Sequence, residues 1–373
     1  MPRDFDVIVA GLGAMGSAAA FHLARSGLKV LGLDRYHPPH EQGSSHGQTR
    51  IIREAYFEHP VYVPIVQRAY ELWTALEQES GQQLFIQTGG LMIGPPKGVV
   101  VRGAHTSAEL HGLKYEYLSA PEIRERFPAL RPARGMAGIL EPRAGVLFPE
   151  RCIEAHLRLA RSRGTALSFG EEMVGWQLAG ERVRVRTAKA EYRADRLVIS
   201  AGSWLQRLVP DLEVPVTVER QILFWFEPHE RSVWQSDRCP IHLWEYSDGR
   251  FFYGFPALGH GVKLARHHQG AMVDPERVSR EVKPHETAAL RRVTRPLLAP
   301  LGRCVMSTVC LYTNMPDGHF LIDHHPACPQ VLIVSPCSGH GFKFSSAIGE
   351  IVAGLVRTGQ TRFDLELFRY RER

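Results

Sequence analysis

The sequence lacks the features that mark several classes of protein. No apolar run approaches the roughly 20 residues that a membrane-spanning helix needs, so no contact with a membrane is expected. The chain enters a strand-like segment at Phe5, which leaves no room for a secretory leader. Its last residues carry no peroxisomal or prenyl signal. We therefore predict a cytoplasmic protein.

Cysteine and histidine patterns exclude two further classes. The six cysteines are spread widely over the 373 residues, and no set of cysteines or histidines has the spacing of a metal site. Reduced thiols are the expectation for a chain of this size without a leader. We therefore predict neither a disulfide framework nor a bound metal.

Composition and charge are those of an ordinary globular protein. Hydrophobic residues make up 44% of the chain and charged residues 23%, which disfavours disorder and fibres. The formal net charge is +6, but the basic residues are scattered, so no nucleic-acid partner is predicted. The chain is long enough for about two domains, each with its own core.

The first 34 residues follow the order strand, glycine-rich turn, helix, strand. Residues 7–10 form a continuous apolar run, which is typical of a strand buried on both faces. A helix is predicted over 17–25, and a strand over 29–33. Apolar periodicity predicts further helices over 64–79 and 150–163 and a last helix around Ile348 and Leu355, while strands are predicted at 183–186, 196–202 and 331–335.

The glycine-rich turn reads Gly11-Leu12-Gly13-Ala14-Met15-Gly16. Gly11 permits the tight turn, Gly13 lets the backbone approach a pyrophosphate, and Gly16 lets the helix pack on the strand. The N-terminus of the helix would offer free N–H groups to phosphates. Asp34 lies 21 residues beyond Gly13, close to the roughly 20 at which an acid reaches a ribose hydroxyl. The pattern predicts a dinucleotide other than NADP, and leaves FAD and NAD open.

The middle of the chain, from about 217 to 314, differs in its sequence pattern. It is rich in aromatic residues and short strand-like runs and lacks the alternation of strand and helix. We therefore predict an α/β fold with a Rossmann-like dinucleotide-binding domain and an inserted, mostly antiparallel α+β substrate domain. The first domain is assigned to 1–85, 145–216 and 315–373. The second is assigned to 86–144 and 217–314.

Several segments resemble one family. Residues 34–53 (DRYHPPHEQGSSHGQTRIIR), 253–256 (YGFP), 310–313 (CLYT) and 338–344 (SGHGFKF) closely resemble the monomeric sarcosine oxidase family, which includes N-methyltryptophan oxidase and pipecolate oxidase. These blocks occur in the family's order over most of the chain. The resemblance implies that the dinucleotide is FAD.

The resemblance also implies an activity. An FAD-dependent oxidase would take a hydride equivalent from the carbon beside nitrogen of a secondary amino acid to flavin N5, and oxygen would become hydrogen peroxide. The substrate would be N-methyl or cyclic, such as sarcosine, N-methyltryptophan or pipecolate, and the enzyme would be a monomer. The alternative is a dehydrogenase with another electron acceptor. A nicotinamide-dependent reductase and a non-catalytic dinucleotide-binding module are less favoured.

The matched segments imply where the cofactor binds. Cys310 occupies the place of the cysteine that attaches the flavin ring through a thioether, whereas the other five cysteines are expected to be structural. The turn Gly339-His340-Gly341 would bring a helix N-terminus to the flavin edge that becomes anionic. The remaining residues assigned to the cofactor are Gly11, Gly13, Ala14, Met15, Gly16, Asp34, Arg35, Ser44, His46, Thr49, Arg50, Ala201, Gly202, Phe342 and Lys343.

Arg53 and Lys343 match the family's carboxylate-binding pair, a guanidinium fork and an ammonium aimed at one anion. Lys263 matches a lysine over the flavin, where a cation can stabilise the anion formed as oxygen is reduced. Arg50 would add positive charge there. These assignments place a cluster of cations around the reacting centre.

His267 matches a histidine near the substrate amine, although the neighbouring His268 leaves the register open. Tyr253 and Tyr312 would line the pocket. The segment 243–246 carries more aromatic bulk than sarcosine-specific members, and the turn after Pro256 is one residue shorter. The sequence therefore leaves the preferred amine open.

Overall fold

The computed structural model describes residues 3–371. Within this range lie eight α-helices: α1 (Ala14–Arg25), α2 (Tyr62–Ser80), α3 (Val99–Leu110), α4 (Ala120–Arg126), α5 (Pro149–Ser162), α6 (Leu205–Leu208), α7 (Pro284–Thr294) and α8 (Ser345–Thr358). None of these helices is both long enough and apolar enough to cross a bilayer.

The same range contains twenty β-strands: β1 (Arg3–Ala10), β2 (Val30–Asp34), β3 (Arg50–Ile52), β4 (Phe85–Gln87), β5 (Gly90–Gly94), β6 (Glu116–Ser119), β7 (Ala137–Glu141), β8 (Gly145–Leu147), β9 (Ala166–Phe169), β10 (Met173–Ala179), β11 (Arg182–Thr187), β12 (Glu191–Ile199), β13 (Thr217–Pro228), β14 (Ile241–Ser247), β15 (Arg250–Leu258), β16 (Gly261–His267), β17 (Ala271–Met272), β18 (Leu301–Asn314), β19 (Leu321–His325) and β20 (Cys328–Ser335).

The first sheet has eight strands, with β10-β11-β12-β1-β2-β9 in order and β20 joining β12 to β19. Its central strands run parallel, and β2 is buried along its whole length because both faces of the sheet are covered. One face belongs to the core that includes residues of α1, α2, α5 and α8. Helices α1 and α8 approach closely, since a Cβ on Gly349 would lie 2.6 Å from the Ala18 backbone.

The second sheet has nine strands, with β17-β13-β16-β15-β14-β5-β7-β6 in order and β18 on β13. Its pairs are antiparallel except for β14 with β5. The three-stranded sheet β3-β8-β4 is separate. The predicted fold class is confirmed, and the strand membership of the two large sheets supports the proposed division into domains, which stays a prediction.

Local predictions agree with the structure except at element ends. The first helix begins at Ala14 rather than at residue 17, because Gly13 already serves as its N-cap. The strand predicted over 196–202 begins earlier, at Glu191, and stops at Ile199, since a 3₁₀ turn takes over at Gly202. Periodicity therefore located the elements, while the turns set their limits.

Candidate active site

A cavity of about 440 Å³ is lined by residues of both large sheets. Its walls come from the turn after β1, the end of β2, the chain around β3, strands β14–β16 and β18, and the turn before α8. The sequence placed these segments far apart, and the fold brings them to one cavity.

The three glycines of the first turn have different roles. Gly11 has φ +91°, and a Cβ on it would lie 2.5 Å from Ser200 O; a Cβ on Gly16 would lie 1.7 Å from Gly11 O. Gly13 is different, because a Cβ there would meet only Ser45 Oγ, at 3.5 Å, and the residue faces the cavity. The fold thus requires Gly11 and Gly16, and leaves the space beside Gly13 for a ligand.

Asp34 braces this turn and also lines the cavity. Its Oδ2 accepts a hydrogen bond from Leu12 N at 2.7 Å, and its Oδ1 accepts one from Tyr36 N at 2.7 Å. Arg35 lines the cavity too, but its guanidinium is paired with Glu276, with Nη1 2.5 Å from Oε1. Asp34 therefore holds the turn together at the cavity wall, whereas Arg35 is engaged with Glu276.

Arg50 and Cys310 meet beside the cavity. Arg50 Nη2 donates to Ser44 O at 2.6 Å and lies 3.6 Å from Cys310 Sγ. Cys310 is 1% exposed, and its thiol also reaches Ser44 O at 3.4 Å. All six cysteines, each within the described range, are free thiols. Ser44 and Arg50, which are both assigned to the cofactor, thus lie beside Cys310.

Lys263 is buried beside the same loop. Its Nζ donates to Gly47 O at 2.6 Å, Thr49 O at 2.8 Å and Thr49 Oγ1 at 3.0 Å. Burial lowers the pKa of this ammonium, and the charge of Arg50 lowers it further. The three acceptors match the three N–H donors of an ammonium. These hydrogen bonds favour the charged form and therefore oppose the lowering of the pKa.

His46 is a second buried group in this loop. Both of its ring nitrogens lack a hydrogen-bond partner within residues 3–371, and burial lowers the pKa of the imidazole to about 3. The resemblance assigns His46 to the cofactor and Lys263 to a place over the flavin, yet neither residue lines the cavity. Gly16, Thr49 and Cys310, which are also assigned to the cofactor, lie outside its lining as well.

Two buried cations face the cavity at its other end. Arg53 is 2% exposed; it donates to Ala55 O at 2.8 Å and forms an ion pair with Glu58 at 2.7 Å. Lys343 Nζ donates to His340 O at 2.6 Å and to Tyr56 Oη at 3.3 Å. Burial and the charge of Arg53 lower the pKa of Lys343 to about 7.

A histidine–tyrosine cluster lies on the same cavity. His267 Nδ1 is 3.2 Å from Tyr312 Oη, and the Tyr312 hydroxyl is hydrogen-bonded to Tyr253. All three residues line the cavity, whereas His268 does not. Burial lowers the pKa of His267 well below its ordinary value. The structure therefore places His267, and not His268, on the cavity wall.

The sequence missed several wall residues, among them Glu58, Ser45 and Trp204. Glu58 lies five positions after Arg53 in a segment without regular structure. No helical or strand periodicity therefore indicated which way its side chain points. Most of the aromatic bulk of 243–246 lies away from the cavity. Only Leu243 lines the cavity, while Trp244 stacks on Phe252 with ring centroids 5.5 Å apart in the core.

The glycine-rich turn and Asp34 define a dinucleotide-binding protein, whose cavity also carries the buried cations Arg53 and Lys343. Residues 6–355 match the family described as FAD dependent oxidoreductase. A monomeric sarcosine oxidase of Streptomyces avermitilis is 42% identical over 99% of this chain and 97% of its own length. An N-methyl-L-tryptophan oxidase of Citrobacter koseri is 36% identical over 98% of each chain. The chain therefore belongs to the FAD dependent oxidoreductase family, together with the monomeric sarcosine oxidases, as the sequence resemblance indicated, and FAD is its cofactor.

Solved structures share the fold. NikD, an amino acid oxidase essential for nikkomycin biosynthesis, superposes with a TM-score of 0.87 at 22% identity, over 98% of this chain and 97% of that one. L-proline dehydrogenase from P. horikoshii has a TM-score of 0.83 at 20% identity, over 99% and 97%.

The residues present fit FAD. Gly13 presents bare backbone to the cavity and, as N-cap, offers no side-chain cap to the first turn of α1, which suits the approach of a pyrophosphate. Asp34 lies beside it, and the turn before α8 forms another part of the same cavity. One continuous space thus joins a phosphate site to the charged pocket.

Proposed function

We propose that this chain is an FAD-dependent oxidase of a secondary amino acid, N-methyl or cyclic, such as sarcosine, N-methyltryptophan or pipecolate. The observation that carries the proposal is the placement of Arg53 and Lys343 on one cavity with the half-buried imidazole of His267. When bound, FAD supplies the acceptor for the hydride equivalent from the carbon beside nitrogen. The relatives named above support this substrate class.

The chain's first task is to hold the cofactor. We assign Gly11, Gly13 and Gly16 with the start of α1 to the pyrophosphate, and Asp34 to a ribose hydroxyl. The 3₁₀ turn at Phe342–Phe344 leads into α8, so backbone N–H groups at this end are available to negative charge that develops on the flavin. Arg50, close to Cys310, would add positive charge there.

The second task is to hold the substrate carboxylate. Arg53 and Lys343 are both buried. A substrate carboxylate bound between them would exchange its hydrating water for the guanidinium of Arg53 and the ammonium of Lys343. Glu58 already occupies part of the Arg53 fork. Lys343, whose other contacts are a carbonyl and a hydroxyl, therefore offers the less engaged charge.

The third task is to receive the proton of the substrate amine. A secondary amine is protonated in neutral water and must lose a proton before its carbon–nitrogen bond is oxidised. Burial keeps the His267 imidazole neutral, and its contact with Tyr312 fixes the ring. A neutral, oriented imidazole is suited to accept that proton.

The identity of the electron acceptor separates the proposal from its alternative, a dehydrogenase. Purified enzyme is mixed with sarcosine, N-methyltryptophan or pipecolate in air, and hydrogen peroxide is measured against substrate consumed. An oxidase forms one peroxide per amine oxidised. Turnover that requires an added dye or quinone, with no peroxide in air, would replace the proposal by the dehydrogenase.

We also propose a thioether between Cys310 and the flavin ring, as the sequence resemblance implies. Cys310→Ser is expected to release the yellow colour into the supernatant when the protein is precipitated with acid, whereas wild-type protein keeps it in the pellet. Cys337→Ser is the matched control, because Cys337 is a free thiol on the cavity wall, and its colour should stay in the pellet. Release from wild-type protein would contradict the link.

The lowered pKa of Lys343 predicts that carboxylate binding depends on pH. Because its pKa is lowered to about 7, the ammonium charge is present below pH 7 and is lost as the pH rises. The dissociation constant of acetate should therefore increase above about pH 7, by at most about tenfold per pH unit for one linked proton. Lys343→Arg, which stays charged, should flatten the profile. Acetate titrations followed by the flavin absorption measure both, and a flat wild-type profile would refute the assignment.

A further inference from the structure

A buried carboxylate lies close to the cavity wall without lining the cavity. Glu219, on β13, is 2% exposed and is surrounded by four donors. Its Oε1 accepts from Gly270 N at 2.5 Å and Gln221 Nε2 at 2.6 Å. Its Oε2 accepts from Asn314 Nδ2 at 3.0 Å and lies 3.4 Å from His268 Nδ1. Although burial opposes it, the hydrogen bonds from His268 and Gly270 lower the pKa of Glu219, so this carboxylate is an anion.

His268 is held in an unusual position. Its backbone has φ +53°, a conformation that costs a non-glycine residue on the order of 1 kcal/mol or more. Its ring packs against His267 with centroids 4.0 Å apart and against Tyr312 at 5.3 Å. A Cβ on Gly339 would lie 2.9 Å from the His268 ring. The side chain is 37% exposed, so one part of the ring faces solvent and another lies against three residues that line the cavity.

Burial lowers the pKa of His267 most, and surrounding groups that can carry a positive charge lower it further. These groups are His268 at the same strand end, His340 and Lys343 before α8, and Arg53 after β3. The two carboxylates nearby are paired with them, Glu219 with His268 and Glu58 with Arg53. Tyr312 from β18 and Tyr253 from β15 contribute neutral hydroxyls. Of these groups, His268 has its ring in direct contact with His267 and has its own carboxylate partner.

We propose that Glu219 and His268 are positioning residues for His267. Glu219 anchors the His268 ring, and that ring holds His267 in the orientation in which Nδ1 reaches Tyr312. Whenever His268 is protonated, its charge also opposes proton uptake by His267. The inference rests on the proposed function, because it concerns the group assigned to the substrate amine, and it goes beyond the assignment of His267 itself.

The test uses His268→Asn and Glu219→Gln in the complete enzyme. Asparagine tolerates a positive φ, so His268→Asn removes the imidazole with little backbone strain. For His268→Asn we expect the acid limb of kcat/KM to move to higher pH by about 1 unit, with a lower kcat at its optimum, while the dissociation constant of acetate stays within about twofold of wild type. For Glu219→Gln, which releases the His268 ring, we expect a lower kcat at the optimum with acetate binding again within about twofold. His260→Asn, in the turn between β15 and β16, is the matched control and should leave the profile unchanged.

Two results would overturn the inference. An unmoved acid limb in His268→Asn, together with an unchanged kcat in Glu219→Gln, would show that the pair does not act through His267. An equal loss in kcat and acetate affinity, without a shift of the limb, would indicate a merely structural role. Failure of the wild-type enzyme to oxidise any secondary amino acid would instead refute the proposed function.

A readout without turnover tests the electrostatic part separately. In protein with ¹⁵N-labelled histidine, the His267 signals are identified by their loss in His267→Gln. His268→Asn should raise the pH at which these signals titrate. The same midpoint in wild type and variant would contradict the proposal, whatever the substrate proves to be.

Discussion

Replacing Arg53 by methionine is expected to lower kcat/KM for a secondary amino acid by about 10²- to 10³-fold. The guanidinium is buried and lies on the cavity wall beside Lys343, and truncating one partner of a buried, hydrogen-bonded charge pair costs about 2–5 kcal/mol. Steady-state kinetics with the preferred amine measure the loss. The effect should appear mainly in KM, because Arg53 is assigned to the carboxylate rather than to the reacting bond.

The same substitution is expected to destabilise the fold, which must be separated from the loss of binding. Arg53→Met leaves the Glu58 carboxylate without its partner at 2.7 Å, at a cost of about 3–5 kcal/mol in the free energy of unfolding. Arg53→Met/Glu58→Gln should recover most of this stability, as denaturant unfolding would show, without recovering kcat/KM. Recovery of both would contradict a role in substrate binding.

Arg126 provides a matched control for both measurements. It forms an ion pair with Glu116 at 2.6 Å, and the two side chains are 49% and 47% exposed. Exposed pairs contribute only about 0–1 kcal/mol. Arg126→Met should therefore change neither kcat/KM nor the unfolding free energy appreciably.

Replacing Lys263 by methionine is expected to slow reoxidation of the reduced enzyme by oxygen about 10²- to 10³-fold, the range typical of removing one electrostatic stabiliser. Lys263 is a buried cationic side chain whose Nζ is fixed by Gly47 and Thr49. Although Lys263 does not line the cavity, we propose that its charge stabilises, through space, the negative charge that forms as oxygen takes up electrons. Anaerobic reduction by substrate should change little, because Arg53, Lys343 and His267 remain.

Rapid mixing measures the two half-reactions separately. Arg266→Met, three positions along β16 and half-buried, removes a positive charge from the same strand and should leave both rates near wild type. Equal slowing of reduction and reoxidation in Lys263→Met would contradict the assigned role. Loss of reoxidation alone would also disfavour the dehydrogenase alternative.

Local structure near the first turn could be predicted because each requirement is local. A Cβ on Gly16 would lie 1.7 Å from Gly11 O, so the motif follows from contacts within six residues of chain. The helix predicted over 64–79 is found at Tyr62–Ser80, since its apolar spacing alone defines a buried face. Strand order is different, because β2 pairs with β9 more than a hundred residues later and no local pattern specifies that neighbour.

The candidate site was predictable in its residue types and less so in its geometry. The resemblance brought Lys263 and Arg50 to one region, but could not show that Lys263 points to the Gly47 and Thr49 carbonyls rather than to the cavity. Glu58 and Glu219 were not predicted at all. Each is an isolated acid in sequence, and its importance comes from partners that only the tertiary fold places beside it.

The most direct test of the central claim is an anaerobic titration of the purified, yellow enzyme with secondary amino acids, followed by the visible absorption band of the flavin. We predict that at least one of sarcosine, N-methyltryptophan and pipecolate bleaches the band at one equivalent, and that admitting air restores it with formation of hydrogen peroxide. A band that persists with every secondary amino acid at saturating concentration, in protein that contains FAD, would contradict the account.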